Sequence, residues 1–134
     1  MMVDTGVLVA AADRSERRHR DAVAVLTAGG EKVVTDAILS ETHHLIAARV
    51  GFKIAAAFLG SIDRDLVVES SVASDRARAR EICVTHIDAR IDYTDALTIA
   101  IAERIGEAVI ATMDERHFRL IRPRHITAFE IIPG

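Results

Sequence analysis

Short apolar runs alternate with longer helix-like stretches along the chain, and this alternation constrains the fold more than any other feature of the sequence. The apolar runs predict strands at residues 1–3, 32–35, 66–69, 108–111 and 126–131. Helical patterns predict helices at 7–12, 18–28, from Asp36 onward, at 72–86 and at 92–105, with Gly51 and Gly60 separating helices. Successive strands joined by helices form parallel crossovers. The sequence therefore predicts an α/β fold with a parallel sheet of about five strands and helices on both faces.

Length and composition predict one domain over residues 1–134. A chain of 134 residues, half of them hydrophobic, can bury a core without disulfides or a structural metal, and no linker or repeat divides it. Cys83 is the only cysteine in the sequence, which excludes a disulfide framework within the chain. The sequence has neither an apolar run of membrane-spanning length nor an N-terminal secretion signal. We expect a cytoplasmic protein that does not associate with membranes.

Four acidic residues fall near the carboxyl ends of the predicted strands. Asp4 directly follows the first strand, and Asp114 comes just after the fourth. Glu41 lies about two turns into the helix after the second strand, and Asp95 lies at the start of a helix that must pack on the sheet. Open parallel sheets bind ligands in the crevice beyond these strand ends. We therefore expect the four carboxylates to converge at one edge of the sheet.

Two of these acids lie on apolar helix faces. Helical periodicity places Asp95 in line with Ile99 and Ala102. It places Glu41 on a stripe formed by Ala37, Ile38, Leu45 and Ala48. A carboxylate on a buried stripe is costly unless something pairs it, and a hard divalent cation can pair several carboxylates at once. The pattern indicates a carboxylate metal site.

Helix capping is the alternative explanation for three of the acids. Asp4 and Asp114 can each cap a helix that follows them. Asp92, followed three residues later by Asp95, resembles a capping box. Capping does not account for Glu41, so the set as a whole favours metal binding, while a cap stays open for each of the other three.

Four segments in order resemble the successive motifs of PIN-domain nucleases. They are residues 3–8 (VDTGVL), Glu41 in the helix after the second strand, residues 92–97 (DYTDAL) and residues 111–118 (ATMDERHF). The resemblance spans nearly the whole chain, and the small size is similar to that of the VapC toxins of bacterial toxin–antitoxin pairs. One departure is Gly6, where many members of the family carry Ser or Asn. A glycine at this position puts the polar contact of a Ser or Asn side chain in doubt, but it does not affect the match of the four acids.

The resemblance implies a function and a set of site residues. It implies an endoribonuclease that cleaves single-stranded RNA with Mg²⁺ or Mn²⁺, forms a homodimer, and is inhibited by a small antitoxin that occupies the active-site groove. Thr112 matches the family's hydroxyl position near the metal. The residues that match the metal-binding acids are Asp4, Glu41, Asp95 and Asp114. Carboxylate-bound metal ions activate water and stabilise the leaving 3′-oxygen in such a reaction.

RNA binding also needs cations beside the acidic site. The 17 basic residues are 15 arginines and only two lysines. Arg116 is the preferred RNA contact because it follows Asp114 closely, and Arg14 is a second candidate from an arginine-rich run near the N-terminus. His117 could approach the site, but a surface role is the favoured interpretation for that residue.

Other functions place acids in similar patterns. Asp4-Thr5-Gly6 matches the signature of aspartic proteases, but the long helical stretches exclude their almost all-β fold. A phosphoacceptor receiver domain needs a lysine after a late strand, and no lysine follows Lys53. The alternative that stays open is a catalytically inactive PIN-like module that binds RNA or an antitoxin without cleavage, which an intact acid set disfavours.

Overall fold

The computed structural model describes residues 1–133 and has the predicted α/β fold. A five-stranded sheet has the order β3-β2-β1-β4-β5, and every neighbouring pair is parallel. Its strands are β1 (Met2–Val3), β2 (Val33–Thr35), β3 (Val67–Glu69), β4 (Val109–Ala111) and β5 (Glu130–Ile132). The predictions of a parallel sheet and of its five strands are confirmed, and most predicted bounds are correct to within one or two residues.

The helices connect the strands as the alternation predicts. They are α1 (Thr5–Ala12), α2 (His19–Thr27), α3 (Asp36–Arg49), α4 (Phe52–Asp65), α5 (Ala73–Thr85), α6 (Tyr93–Ile105) and α7 (Arg116–Leu120), with a 3₁₀ turn at Ile87–Ala89. Gly51 begins α4 with a φ of 121°, a backbone conformation that favours glycine. Within residues 1–133, no helix is long and apolar enough to cross a membrane.

Two predicted bounds are wrong. Gly60 does not separate helices, because α4 continues through it to Asp65; glycine inside a helix costs only about 1 kcal/mol relative to alanine. The fifth strand begins at Glu130 rather than at Ile126. The reason is that β4 offers only three residues for pairing, and their partners are residues 130–132.

The sheet separates two apolar layers, because successive strand residues point to opposite faces. Met2 packs in one layer, against α5, α6 and α7, with Ile110 beside it. Val3 packs in the other, against α1, α2 and α3, with Ala111 beside it. Helices therefore cover both faces, as predicted.

The strand order reverses between β1 and β4, since the chain continues from β1 toward β2 on one side and reaches β4 on the other. The backbone N–H of Asp4 donates to the carbonyl of Ala111 at 2.9 Å, which joins the ends of the two strands. The crevice at such a switch point is where open α/β sheets bind ligands.

Candidate active site

A cleft of about 370 Å³ opens at the carboxyl ends of β1 and β4 and brings the four predicted acids together. Its lining includes Asp4, Glu41, Asp92, Asp95, Asp114 and Arg49. The acids come from four separate stretches of the chain, so only the folded sheet places them side by side. The cleft carries five carboxylates and one arginine, which makes its lining strongly negative.

Asp4 lies deepest in this arrangement, directly after β1 and at the N-cap of α1. One carboxylate oxygen accepts from the backbone N–H of Thr5 at 2.9 Å, and the other accepts from the hydroxyl of Thr112 at 2.8 Å. Burial nevertheless raises the pKa of Asp4, and the charge of Glu41 raises it further. Asp4 is therefore both a helix cap, as the alternative proposed, and a member of the acidic cleft.

Asp95 lies in the first turn of α6, beside Asp4. Burial, followed by the charge of Asp4, raises the pKa of Asp95 to about 6. The backbone N–H of Asp95 donates to Asp92 at 2.9 Å, so Asp92 caps the helix. The Asp95 side chain accepts from His117 Nδ1 at 2.6 Å. Of the predicted capping box, only the Asp92 half is found among the hydrogen bonds of residues 1–133.

Glu41 reaches the cleft from α3, where it is half-buried. The residues of α3 that face the core are Ile38, Thr42 and Ile46. Glu41 and Leu45 lie beside that stripe and line the cleft. The expected apolar stripe is thus shifted by about one residue, and Ala48, which was assigned to it, is exposed.

Asp114 occupies the outer rim of the cleft and differs from the inner acids in its partner. Its carboxylate accepts two hydrogen bonds from the Arg116 guanidinium, at 2.9 and 2.6 Å. The Arg116 guanidinium lowers the pKa of Asp114 to about 2. Both side chains are mostly exposed.

Thr112 connects the inner and outer acids. It is buried at the end of β4, and its hydroxyl oxygen accepts from the backbone N–H of Asp114 at 3.1 Å while its proton goes to Asp4. One side chain therefore fixes the orientation of Asp4 and the path of the loop that carries Asp114.

The donor set suits a hard divalent cation. All the acids supply oxygen ligands. Burial raises the pKa values of Asp4 and Asp95, so a cation bound beside them would stabilise their ionised forms. The buried Thr5 hydroxyl at the same cleft has no hydrogen-bond partner among the described residues. Within residues 1–133, no three acidic, histidine or cysteine side chains converge on a single coordination point. Mg²⁺ does not require such a trio, because it keeps several waters and binds one or two carboxylates.

Gly6, the departure from the family pattern, also lines the cleft. A Cβ atom at this position would lie 3.4 Å from Met113 Cβ, which is ordinary van der Waals contact. A small polar side chain would therefore fit here. Because Gly6 has no side chain, Met113 lines this part of the cleft.

Two residues, one in contact with a cleft acid and one in the lining of the cleft, were not predicted from the sequence. His117 was favoured as a surface residue, but it holds Asp95. Arg49, at the end of α3, lines the cleft, and its position four residues after Leu45 could have indicated this. Of the predicted RNA contacts, Arg116 lies at the rim, paired with Asp114, while Arg14 is exposed and does not line the cleft.

Comparison with known proteins agrees with this geometry. The PIN domain family matches residues 1–122, most of the chain and all four acids. The chain belongs to the PIN-domain family. A relative, Ribonuclease VapC26 of Mycobacterium tuberculosis, is 30% identical over 139 residues, which cover 99% of this chain and 100% of the relative. The resemblance to PIN-domain nucleases predicted from the sequence is confirmed.

Two solved structures share the fold. VapC20 of Mycobacterium tuberculosis, described as a Sarcin-Ricin loop cleaving toxin, superimposes with a TM-score of 0.78 at 23% identity, covering 87% of this chain and 91% of that one. VapBC2 of Rickettsia felis, solved bound to a DNA fragment from its promoter, gives a TM-score of 0.70 at 14% identity, covering 97% and 95%. At these identities the similarity establishes the fold of this PIN domain.

Proposed function

We propose that this PIN-domain protein is a metal-dependent endoribonuclease, the toxin of a type II toxin–antitoxin pair, that hydrolyses phosphodiester bonds in single-stranded or loop RNA. The observation that carries the proposal is the acidic cleft at the switch point of the sheet, which brings Asp4, Asp95 and three further carboxylates together. The family and the full-length similarity to a protein named as a ribonuclease support the same reaction.

The proposed metal ligands are the four acids of the cleft. Ribonucleases of this family are metal-dependent in general, and Mg²⁺, with Mn²⁺ as a substitute, suits the all-oxygen donors. Asp4 and Asp95 would hold the ion from the inside of the cleft, with Glu41 and Asp114 at its margins. When bound, the ion supplies an activated water and stabilises the leaving 3′-oxygen.

The chain's own residues prepare the site for this reaction. Thr112 orients Asp4 by donating to one of its oxygens, and His117 orients Asp95 in the same way. The other Asp95 oxygen is not part of this contact, whereas both Asp4 oxygens accept one hydrogen bond each, from Thr5 and from Thr112. The proposed RNA contacts are Arg116, at the rim of the cleft, and the exposed Arg14, which lies outside its lining.

The proposed partners are RNA, a small cognate antitoxin and a second copy of this chain. The solved VapBC2 complex is a similar fold found with a VapB partner. A negative cleft accepts an arginine or lysine from an extended antitoxin segment, which would replace the positive charge of the metal. Such a segment would fold as it binds.

Cleavage by the purified protein, freed of any antitoxin, tests the proposed function. A labelled single-stranded RNA should be cut when Mg²⁺ or Mn²⁺ is present, and EDTA should stop the reaction. An inactive PIN-like module would bind the same RNA and leave it intact with either ion.

The inhibitory mode is tested by comparing antitoxin affinity for the wild type and for the double variant Asp4→Asn/Asp95→Asn. Loss of a charge-assisted contact should weaken binding by about 1–3 kcal/mol. Unchanged affinity would mean that the antitoxin does not insert a basic residue among the acids.

A further inference from the structure

Helix α3 presents a second charged group to the cleft. Glu41, Leu45 and Arg49 are spaced four residues apart, so they lie on one face of the helix. All three line the acidic cleft. The same helix face that carries a proposed metal ligand therefore carries a cation two turns later.

Arg49 differs from Arg18 and Arg116 because it is not paired with a carboxylate among residues 1–133, although its charge contributes, after hydrogen bonds from Ser15, to the lowered pKa of Asp13. Arg116 is paired with Asp114, and Arg18 is paired with Asp21 at 3.2 Å. Arg49 is exposed, and no hydrogen bond or ion pair within residues 1–133 involves its side chain. Its location in the last turn of α3 gives a favourable interaction with the helix dipole, but that role would be met anywhere around the helix and does not require a position at the cleft.

The surface beyond Arg49 continues into a smaller cavity of about 160 Å³. Gly6, Val9 and Met113 line both spaces, which makes them continuous. The charged residues of the smaller cavity are Arg18, Arg49 and Glu16. The lining thus changes from five carboxylates and one arginine in the cleft to two arginines, Arg18 and Arg49, and one glutamate in the smaller cavity.

A change from negative to positive lining is the arrangement expected for a nucleic-acid strand at a metal-dependent site. The carboxylates serve the metal at the reacting phosphate, while neighbouring phosphates need cations of the protein. We propose that Arg49 binds the RNA phosphate adjacent to the scissile one, and that the strand leaves the acidic cleft across Gly6 and Met113. This inference rests on the proposed function and adds the path by which the RNA strand leaves the cleft.

Salt-dependent RNA binding tests the assignment. In an Asp4→Asn background with EDTA, which prevents cleavage, fluorescence anisotropy would measure the affinity for a single-stranded RNA between low and moderate salt. Arg49→Gln should weaken binding about three- to tenfold and lower the slope of log K against log salt by about 0.7, the value for one phosphate contact on a single strand. Arg49→Lys, which keeps the charge, should retain most of the slope.

Arg80→Gln is the matched control, since Arg80 is exposed on α5 and does not line the cleft. It removes the same charge from the protein and should leave the slope nearly unchanged. Equal slopes for Arg49→Gln and Arg80→Gln, with RNA binding intact, would overturn the Arg49 assignment alone. Absence of RNA binding and of metal-dependent cleavage by the wild type would overturn both the assignment and the proposed function.

Discussion

The acids inside the cleft and the acid at its rim have pKa values that are shifted in opposite directions. Burial raises the pKa of Asp95 to about 6 and raises that of Asp4, whereas the Arg116 guanidinium lowers the pKa of Asp114 to about 2. The inner acids are held by Thr112 and His117, while the outer one is held by an arginine. The protein therefore neutralises the rim and leaves the inside of the cleft in need of positive charge.

This difference has a structural origin. Asp4 directly follows β1, and Asp95 lies in the first turn of α6. Buried residues lie on both sides of Asp4, and a buried residue follows Asp95. Asp114 lies on a loop, exposed enough for a long side chain from the next turn to reach it. A ligand that brings positive charge gains most at the inner acids, where water screens the charge least.

The largest expected effect comes from removing an inner charge. Asp4→Asn or Asp95→Asn should abolish RNA cleavage, with a loss greater than the about 10- to 100-fold typical of a residue that only supports a metal ligand. The fold should stay intact, and the metal-free protein should be as stable as the wild type or more stable, because repulsion between the two carboxylates is relieved. Cleavage assays and chemical denaturation measure the two outcomes.

Asp63→Asn is a suitable control, because Asp63 is exposed on α4 and does not line the cleft. It should cleave RNA at the wild-type rate. If either inner variant also cuts RNA at a near wild-type rate with Mg²⁺ present, the assignment of the inner acids as metal ligands is wrong.

A smaller effect is expected at His117, which acts on the metal through Asp95. His117→Ala should weaken Mg²⁺ or Mn²⁺ binding about 10- to 100-fold, as loss of a hydrogen-bond partner of a metal ligand usually does. Isothermal titration calorimetry with Mn²⁺ measures this affinity without RNA, and a smaller metal-induced rise in melting temperature should accompany it. His44→Ala, at an exposed position of α3, is the control. Equal metal affinity for the two variants would reduce His117 to a packing residue.

The sequence was sufficient for the fold because each element is encoded locally. The strand and helix patterns predict a parallel sheet, and parallel crossovers bring the ends of β1 and β4 to one edge. The convergence of Asp4 and Asp114 follows from that topology without any knowledge of side-chain contacts.

The contacts that depend on side-chain direction were not predictable. His117 reaches Asp95 only because α7, a helix of five residues with no clear signal of its own, turns the chain back after Asp114 and anchors it with the buried Phe118. Periodicity also placed the buried stripe of α3 about one residue away from its actual position, although the spacing of Glu41, Leu45 and Arg49 already indicated their shared face. Both outcomes depend on tertiary packing, which a single helical pattern does not determine.

The pH dependence of stability separates the inner acids from the rim. Between about pH 4 and pH 6 the folded protein retains a proton on Asp95 that the unfolded chain has lost, so the folded state binds more protons. The free energy of unfolding of the metal-free protein should therefore fall as the pH rises through this window, by about 1–3 kcal/mol, and level off above it. Denaturation of the wild type and of Asp95→Asn at each pH gives the free energy of unfolding of both proteins. The difference between the two values isolates Asp95, because the other titrating groups contribute equally to both. A difference that is constant with pH would contradict the raised pKa of Asp95.

The smallest effect is expected at the rim, from Arg116→Gln. The Asp114–Arg116 pair is exposed, so water screens it and its loss should change the free energy of unfolding very little. The pKa of Asp114 should rise from about 2 toward its ordinary range, and because the favourable interaction requires an ionised Asp114, any stability difference from the wild type should disappear as the pH falls through about 2. NMR titration of the carboxyl resonances and denaturation at neutral pH measure these outcomes.

RNA cleavage by Arg116→Gln should fall only modestly, as for one surface phosphate contact, and far less than for Asp4→Asn. A loss of activity as large as that of Asp4→Asn would place Arg116 with the inner residues, and the distinction between a neutralised rim and a charged interior would fail.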